Sequence, residues 1–136
     1  MDKYYFAAFV PSSGQYAIFF PDFPPIASCG DSLAEAMKMA EDALRVTMTE
    51  PEWGGENAPM PSTYEQAKEI VMQRLKEIDA TADGEILYQL IKAPDMDMTP
   101  VRVNISIPRN ALNALDRKAE AAGTTRSGYI ARIAMA

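Results

Sequence analysis

Arg102, Asn104 and Ser106 stand at every second position of "PVRVNISIPRN", residues 100–110. A forked cation, an amide and a hydroxyl in one row offer hydrogen-bond donors and acceptors along one side of an extended segment. Val101, Val103, Ile105 and Ile107 fill the alternate positions. Strict alternation of this kind predicts a half-buried strand with one apolar face. A strand alone cannot satisfy its own backbone donors and acceptors. Only a helical tail follows it in the sequence, so its mate must come from elsewhere.

Other chemistry is narrowed by composition. The chain of 136 residues contains no histidine, which removes His triads, His general acids and His metal ligands together. Metal binding would fall to carboxylate clusters, and none has a motif spacing; no cofactor is expected. The single cysteine, Cys29, rules out an intrachain disulfide and reads as a small packed residue. Apolar residues make up 48%, enough for a core in one ordinary domain or two small ones. "YYFAAFV" is too short for a membrane span and lacks a basic leader, so a cytoplasmic protein is expected.

The net charge of −6 is unevenly spread. Residues 101–136 carry six basic and two acidic side chains, a net of +4; the remainder carries seven basic and seventeen acidic, a net of −10. A basic tail on an acidic body suggests two kinds of partner.

The elements that position these residues follow from periodicity. "KYYFAAFV" and "QYAIFF" read as strands joined by the turn "PSSG". "PDFPP" halts regular structure, since its prolines cannot join a central ladder. "IASCG" reads as a third short strand. Ser32 and Glu35 have capping-box spacing ahead of a helix with Leu33, Met37, Ala40, Leu44 and Met48 on one face. "EPEWGGENAPMPS" is a loop. Ser62 and Glu65 predict a second capping box, opening a helix that faces inward through Ala67, Val71, Leu75 and Ile78. "EILYQLIKA" reads as a fourth strand. Methionines 37, 39, 48, 60, 72, 96 and 98 are expected mainly as core filler. The expected fold class is α+β, with domains at 1–95 and 101–136 joined by a linker over 96–100.

After the alternating strand, Pro108 suits a helix start. Leu112, Leu115, Ala119 and Ala122 form a stripe, and Gly123 fits a left-handed C-cap. A second helix follows, capped by Thr124 or Thr125, with Tyr129, Ile130 and Ile133 on its buried side. About 35 residues cannot build a stable core alone. A symmetric dimer would supply both the second strand and the covering helices. "VRVNISIPRNALNALDRKAEAAGTTRSGYIARIA" resembles a ribbon-helix-helix DNA-binding module of the Arc and MetJ type, over about a quarter of the chain. The features that carry this are the strand ending in Ile-Pro and the Gly-x-x-Arg-Ser at the second helix. The resemblance implies that Arg102, Asn104 and Ser106 face base edges in the major groove. It implies that Thr125, Arg126 and Ser127 clamp a phosphate at a helix N-terminus. Gly128 departs from helix preference, at about 1 kcal/mol relative to Ala.

"YYFAAFVPSSGQYAIFFPDFPPIASCGDSLAEAMKMAEDAL" resembles a HicB-type antitoxin domain, as does "GENAPMPS". That resemblance implies a partial ribonuclease-H-like fold, a HicA-type mRNA-cleaving toxin as partner, and repression of the operon by the C-terminal domain at operator DNA. The segment from about Thr63 to Asp79 is longer than the minimal form of such a domain. The assembly expected is a homodimer through the ribbon, with a tetramer if the N-terminal domains also associate, and no membrane. Asp22 and Asp31 raise the alternative of a metal-dependent nuclease, but Asp31 reads better as a capping charge at a helix start, so no catalytic residue is assigned. The remaining alternative is a stand-alone ribbon-helix-helix regulator whose acidic domain senses a ligand or assembles subunits.

Overall fold

The structure, a computed structural model, describes residues 2–136. The chain divides into two compact units, Met1–Met98 and Thr99–Ala136.

The first unit is built on β1 (Tyr4–Ser12), β2 (Gln15–Phe19), β3 (Ala27–Gly30) and β4 (Leu87–Lys92), all antiparallel in the order β3-β2-β1-β4. A two-residue turn joins β1 to β2. Ser13 and Gly14 there have φ of 52° and 79°, the left-handed pair that matches the twist of a tight hairpin. The α+β class and the strand-strand-strand-helix-helix-strand order agree with the sequence reading.

The pleat sends odd and even residues of β1 to opposite faces. Tyr5, Ala7 and Phe9 join Ile18, Phe20, Phe23, Ile26 and Ile91 in one core, closed by Ala36, Ala40, Leu44 and Met48 of α1 (Leu33–Met48). Ala8 and Val10 face the other way and meet Val71 and Leu75 of α2 (Tyr64–Glu77). The segment expected as an unexplained extension is thus the cover of the second sheet face, and the sheet is a middle layer.

Prolines end β2, as expected, but the turn that follows is part of the core. Phe23 and Ile26 N–H groups donate to Phe20 and Phe23 carbonyls at 3.0 Å each, and these two tight steps hold Phe20, Phe23 and Ile26 inward. Tyr5 and Phe23 meet edge to face, 4.7 Å between centroids, a favoured aromatic geometry.

Helix starts are set by capping. Ser32 Oγ accepts from the Glu35 N–H at 3.1 Å. For α2 the expected box at Ser62 and Glu65 is one residue early. Thr63 and Gln66 exchange the bonds instead, at 2.9 and 3.2 Å, because Ser62 is engaged elsewhere. Ile78 lies at the C-cap and is exposed, since α2 ends at Glu77. Leu33 is likewise exposed at the first helical position. Two further expectations fail. Cys29 is exposed; it lies on edge strand β3, opposite Ala17 on the α2 face. Of the seven methionines expected as core filler, Met48 is buried and Met37 packs partly; Met39, Met60, Met72, Met96 and Met98 are exposed, lying on outer helix faces or in loops.

The second unit comprises α3 (Arg109–Ala121) and α4 (Arg126–Met135). The Thr124 N–H donates to Ala119 and the Gly123 N–H to Glu120, both at 3.0 Å, with Gly123 at φ 70°. These are the paired bonds of a Schellman turn, as the glycine predicted. Ala119 is the one buried residue among the two helices.

Candidate functional site

Residues 101–107, expected as a strand, form none in the single chain. The sheet of the first unit consists of β1 to β4 and takes in none of this segment. Arg102, Asn104 and Ser106 are exposed, and so are their apolar alternates, with Val101 at 85%, Val103 at 72% and Ile105 at 66% exposure. Four large apolar side chains close in sequence are thus left in solvent. The same holds across α3 and α4. Leu112 and Leu115 are half-buried, Ala122 is exposed, and Ile130 and Ile133, expected on a buried side, are 41% and 54% exposed. Two short helices enclose too little volume to bury them.

Thr125 is the N-cap of α4, and its Oγ1 accepts from the Gly128 N–H at 3.1 Å. Gly128 also leaves room for the Thr124 hydroxyl, which a Cβ there would strike. Ser127 is exposed in the first turn. Arg126 is engaged within the unit: Nε and Nη2 donate to the two Asp116 carboxylate oxygens at 2.8 and 3.0 Å. These bonds hold the Asp116 carboxyl below its ordinary range and push the Arg126 guanidinium up. Thr125, Arg126 and Ser127 therefore share one helix start, with the arginine oriented by a carboxylate. The sequence reading did not pair Asp116 with Arg126; their ten-residue separation across a helix turn gives no local signal.

In the first unit the two questioned carboxylates have structural work. Asp22 accepts from the Ser62 N–H at 2.9 Å and from the Ser62 hydroxyl, fixing the loop before α2 to the turn after β2. Asp31 is not the helix cap, a place taken by Ser32; its Oδ1 accepts from Gln15 Nε2 at 2.8 Å. Among the described residues, no three Asp, Glu or Cys side chains gather to hold a metal ion. No helix among them is long and apolar enough to cross a membrane.

The loop between α1 and α2 is drawn onto the core as well. Tyr5 Oη donates to the Pro59 carbonyl at 2.7 Å, and Trp53 and Ala58 pack against the α1 side. Burial, with Asp22 nearby, pushes the Tyr5 phenol above its ordinary pKa, which keeps it a donor. On the α2 side Tyr64 meets Phe6 and Tyr88, at 5.8 and 5.4 Å between centroids.

The chain resembles the antitoxin HicB of Burkholderia pseudomallei, with 26% identity and a TM-score of 0.46 over 99% of this chain and 95% of that one. It also resembles a chain of a toxin-antitoxin complex from Streptococcus pneumoniae, with 21% identity and a TM-score of 0.55 over 99% and 98% of the two chains. The latter likeness is one of fold. No curated protein matches the chain. The model of the HicB-like antitoxin of bacterial toxin-antitoxin systems matches residues 5–134, nearly the whole length, and the chain belongs to that family.

Proposed function

We propose that this antitoxin has two binding tasks and no catalytic one: its acidic unit neutralises a HicA-type mRNA-cleaving toxin, and its basic unit represses the operon at operator DNA. The observation that carries the second task is the exposed apolar row Val101, Val103, Ile105 and Ile107. Two copies pairing antiparallel along this row would bury it on a shared core and turn Arg102, Asn104 and Ser106 outward as a ribbon. Arginine can fork onto guanine O6 and N7, asparagine onto adenine N6 and N7, and serine tolerates either. Thr125, Arg126 and Ser127 would meet a flanking phosphate, with backbone N–H groups and the helix dipole adding to the hydroxyls.

The charge division supports the first task. A body of net −10 is steered toward a basic RNA-binding protein and competes with RNA for it. The test is co-expression of the full chain with the small protein encoded in the adjacent reading frame. Co-purification and loss of that protein's RNA cleavage are the expected results. A neighbour that neither binds nor is silenced rejects the antitoxin task and leaves the stand-alone regulator.

A further inference from the structure

The two edges of the sheet differ. β3 has four residues, is preceded by Pro24 and Pro25, and ends at Gly30, which is packed against the start of α1. A short strand closed by proline and a helix is a protected edge. β4 has six residues, "LYQLIK", without proline, and among the described residues it pairs with β1 alone.

The direction of its free backbone groups can be read from the ladder. The Ala93 N–H donates to the Lys3 carbonyl at 2.8 Å. Antiparallel pairs alternate between bonded and non-bonded, so Ile91 with Tyr5, Gln89 with Ala7 and Leu87 with Phe9 are the bonded pairs. Tyr88, Leu90 and Lys92 therefore turn their N–H and C=O groups away from β1, toward the open edge. Lysine usually guards such an edge, but Lys92 Nζ already lies 3.4 Å from the Asp2 carboxylate. Glu85 and Asp95, both exposed, flank the strand.

Side chains on both faces of this edge are apolar and accessible. On the α1 side a groove of about 390 Å³ is lined by Phe9, Leu33, Ala34, Met37 and Leu87. On the other side Leu90 is 47% exposed. An incoming strand would bond the outward backbone groups and lay alternate side chains to these two faces.

We propose that β4 is the docking edge for a small basic protein that adds a strand of its own to the sheet. This rests on the antitoxin reading above and names the surface by which it acts. The acidic flanks and the body's net charge of −10 select a basic occupant. A second copy of this chain would bring a like charge to the same edge.

The test uses the full chain and the basic protein from the adjacent reading frame, with binding measured by calorimetry. Leu90→Pro removes an outward N–H while keeping the bonds to β1; Leu90→Ala removes only the side chain. Strand addition predicts that Leu90→Pro raises Kd at least about tenfold more than Leu90→Ala does. Hydrogen exchange on the unaltered chain gives an independent reading. The Tyr88, Leu90 and Lys92 amides should exchange fast when free and slow in the complex, whereas Leu87, Gln89 and Ile91 should be slow in both. Wild-type affinity in a folded Leu90→Pro variant, or no gain in protection at the three outward amides of the complex, overturns the proposal. Failure of the wild-type chain to bind its neighbour overturns the antitoxin task itself, and this surface with it.

Discussion

The Arg126 guanidinium and the Asp116 carboxylate form a two-pronged pair, at 2.8 and 3.0 Å, that ties the start of α4 to the middle of α3. The arginine proposed to meet a DNA phosphate is thus held in place, and half-neutralised, before any DNA arrives. Asp116→Asn removes a negative charge beside the proposed phosphate site. Affinity for operator and random DNA should rise together, because phosphate contacts carry no sequence information. Filter binding across a salt series checks this, and a gain confined to operator would reject it.

Acid should dissolve the same pair. The Asp116 carboxyl is held below its ordinary value in the folded unit. Its contribution is complete above the ordinary carboxylate range near pH 4 and is lost as pH falls through the lowered value. A carboxyl-carbon NMR titration of Asp116 should give a midpoint that moves up when Arg126 is replaced by Gln. An unmoved midpoint would mean that the pair does not hold in solution.

Arg102→Ala should weaken operator binding by about 1–3 kcal/mol if it reads a base, and should relax sequence preference at one position. Competition between operator and scrambled duplexes measures it. An equal loss on both duplexes would reassign Arg102 to a phosphate.

Gly30→Ala should destabilise the first unit. A Cβ at Gly30 would lie 2.7 Å from the Ala36 backbone nitrogen and 2.8 Å from its Cα, so α1 would have to move off the sheet. A cost of about 1–3 kcal/mol is expected for forced overpacking, read as a lower urea midpoint. An unchanged midpoint would show that the helix yields freely.

Tyr5→Phe deletes the bond to the Pro59 carbonyl at a cost of about 1 kcal/mol. Because burial raises the Tyr5 pKa, that stability is complete below about pH 10 and is lost as pH rises through the folded value. The variant should lack this alkaline loss. Urea titrations of both proteins at rising pH decide it.

Much of this fold was legible because its signals are local. Aromatic enrichment and the turn residues of "PSSG" marked β1 and β2, Ser-x-x-Glu marked α1, and Gly123 marked the end of α3. What escaped depended on contacts distant in sequence. Ser62 looks like a cap until Asp22, forty residues away, claims its N–H and hydroxyl; Thr63 then takes the role. Periodicity shows that Ala67, Val71 and Leu75 share a face but not which side of the sheet they cover. Methionine spacing cannot tell an inner helix face from an outer one. At the candidate DNA site the alternation predicted a strand that the single chain does not form, and the Asp116 partner of Arg126 had no local signal. The open edge of β4 was illegible for the same reason: strand order is a tertiary property.

The sheet of the first unit is covered on both faces, whereas α3 and α4 bury one alanine between them. If the second unit is completed by pairing, the two halves obey different laws of mass action. The first unit can fold as a first-order event, indifferent to how much protein is present. If residues 99–136 order only in pairs, their folded fraction rises with chain concentration, and operator occupancy rises more steeply still. Under the proposed division of tasks, a cell with few copies would keep the first unit intact while the operator stands open. Accumulation of the chain would close it, making the thin core of α3 and α4 a gauge of abundance.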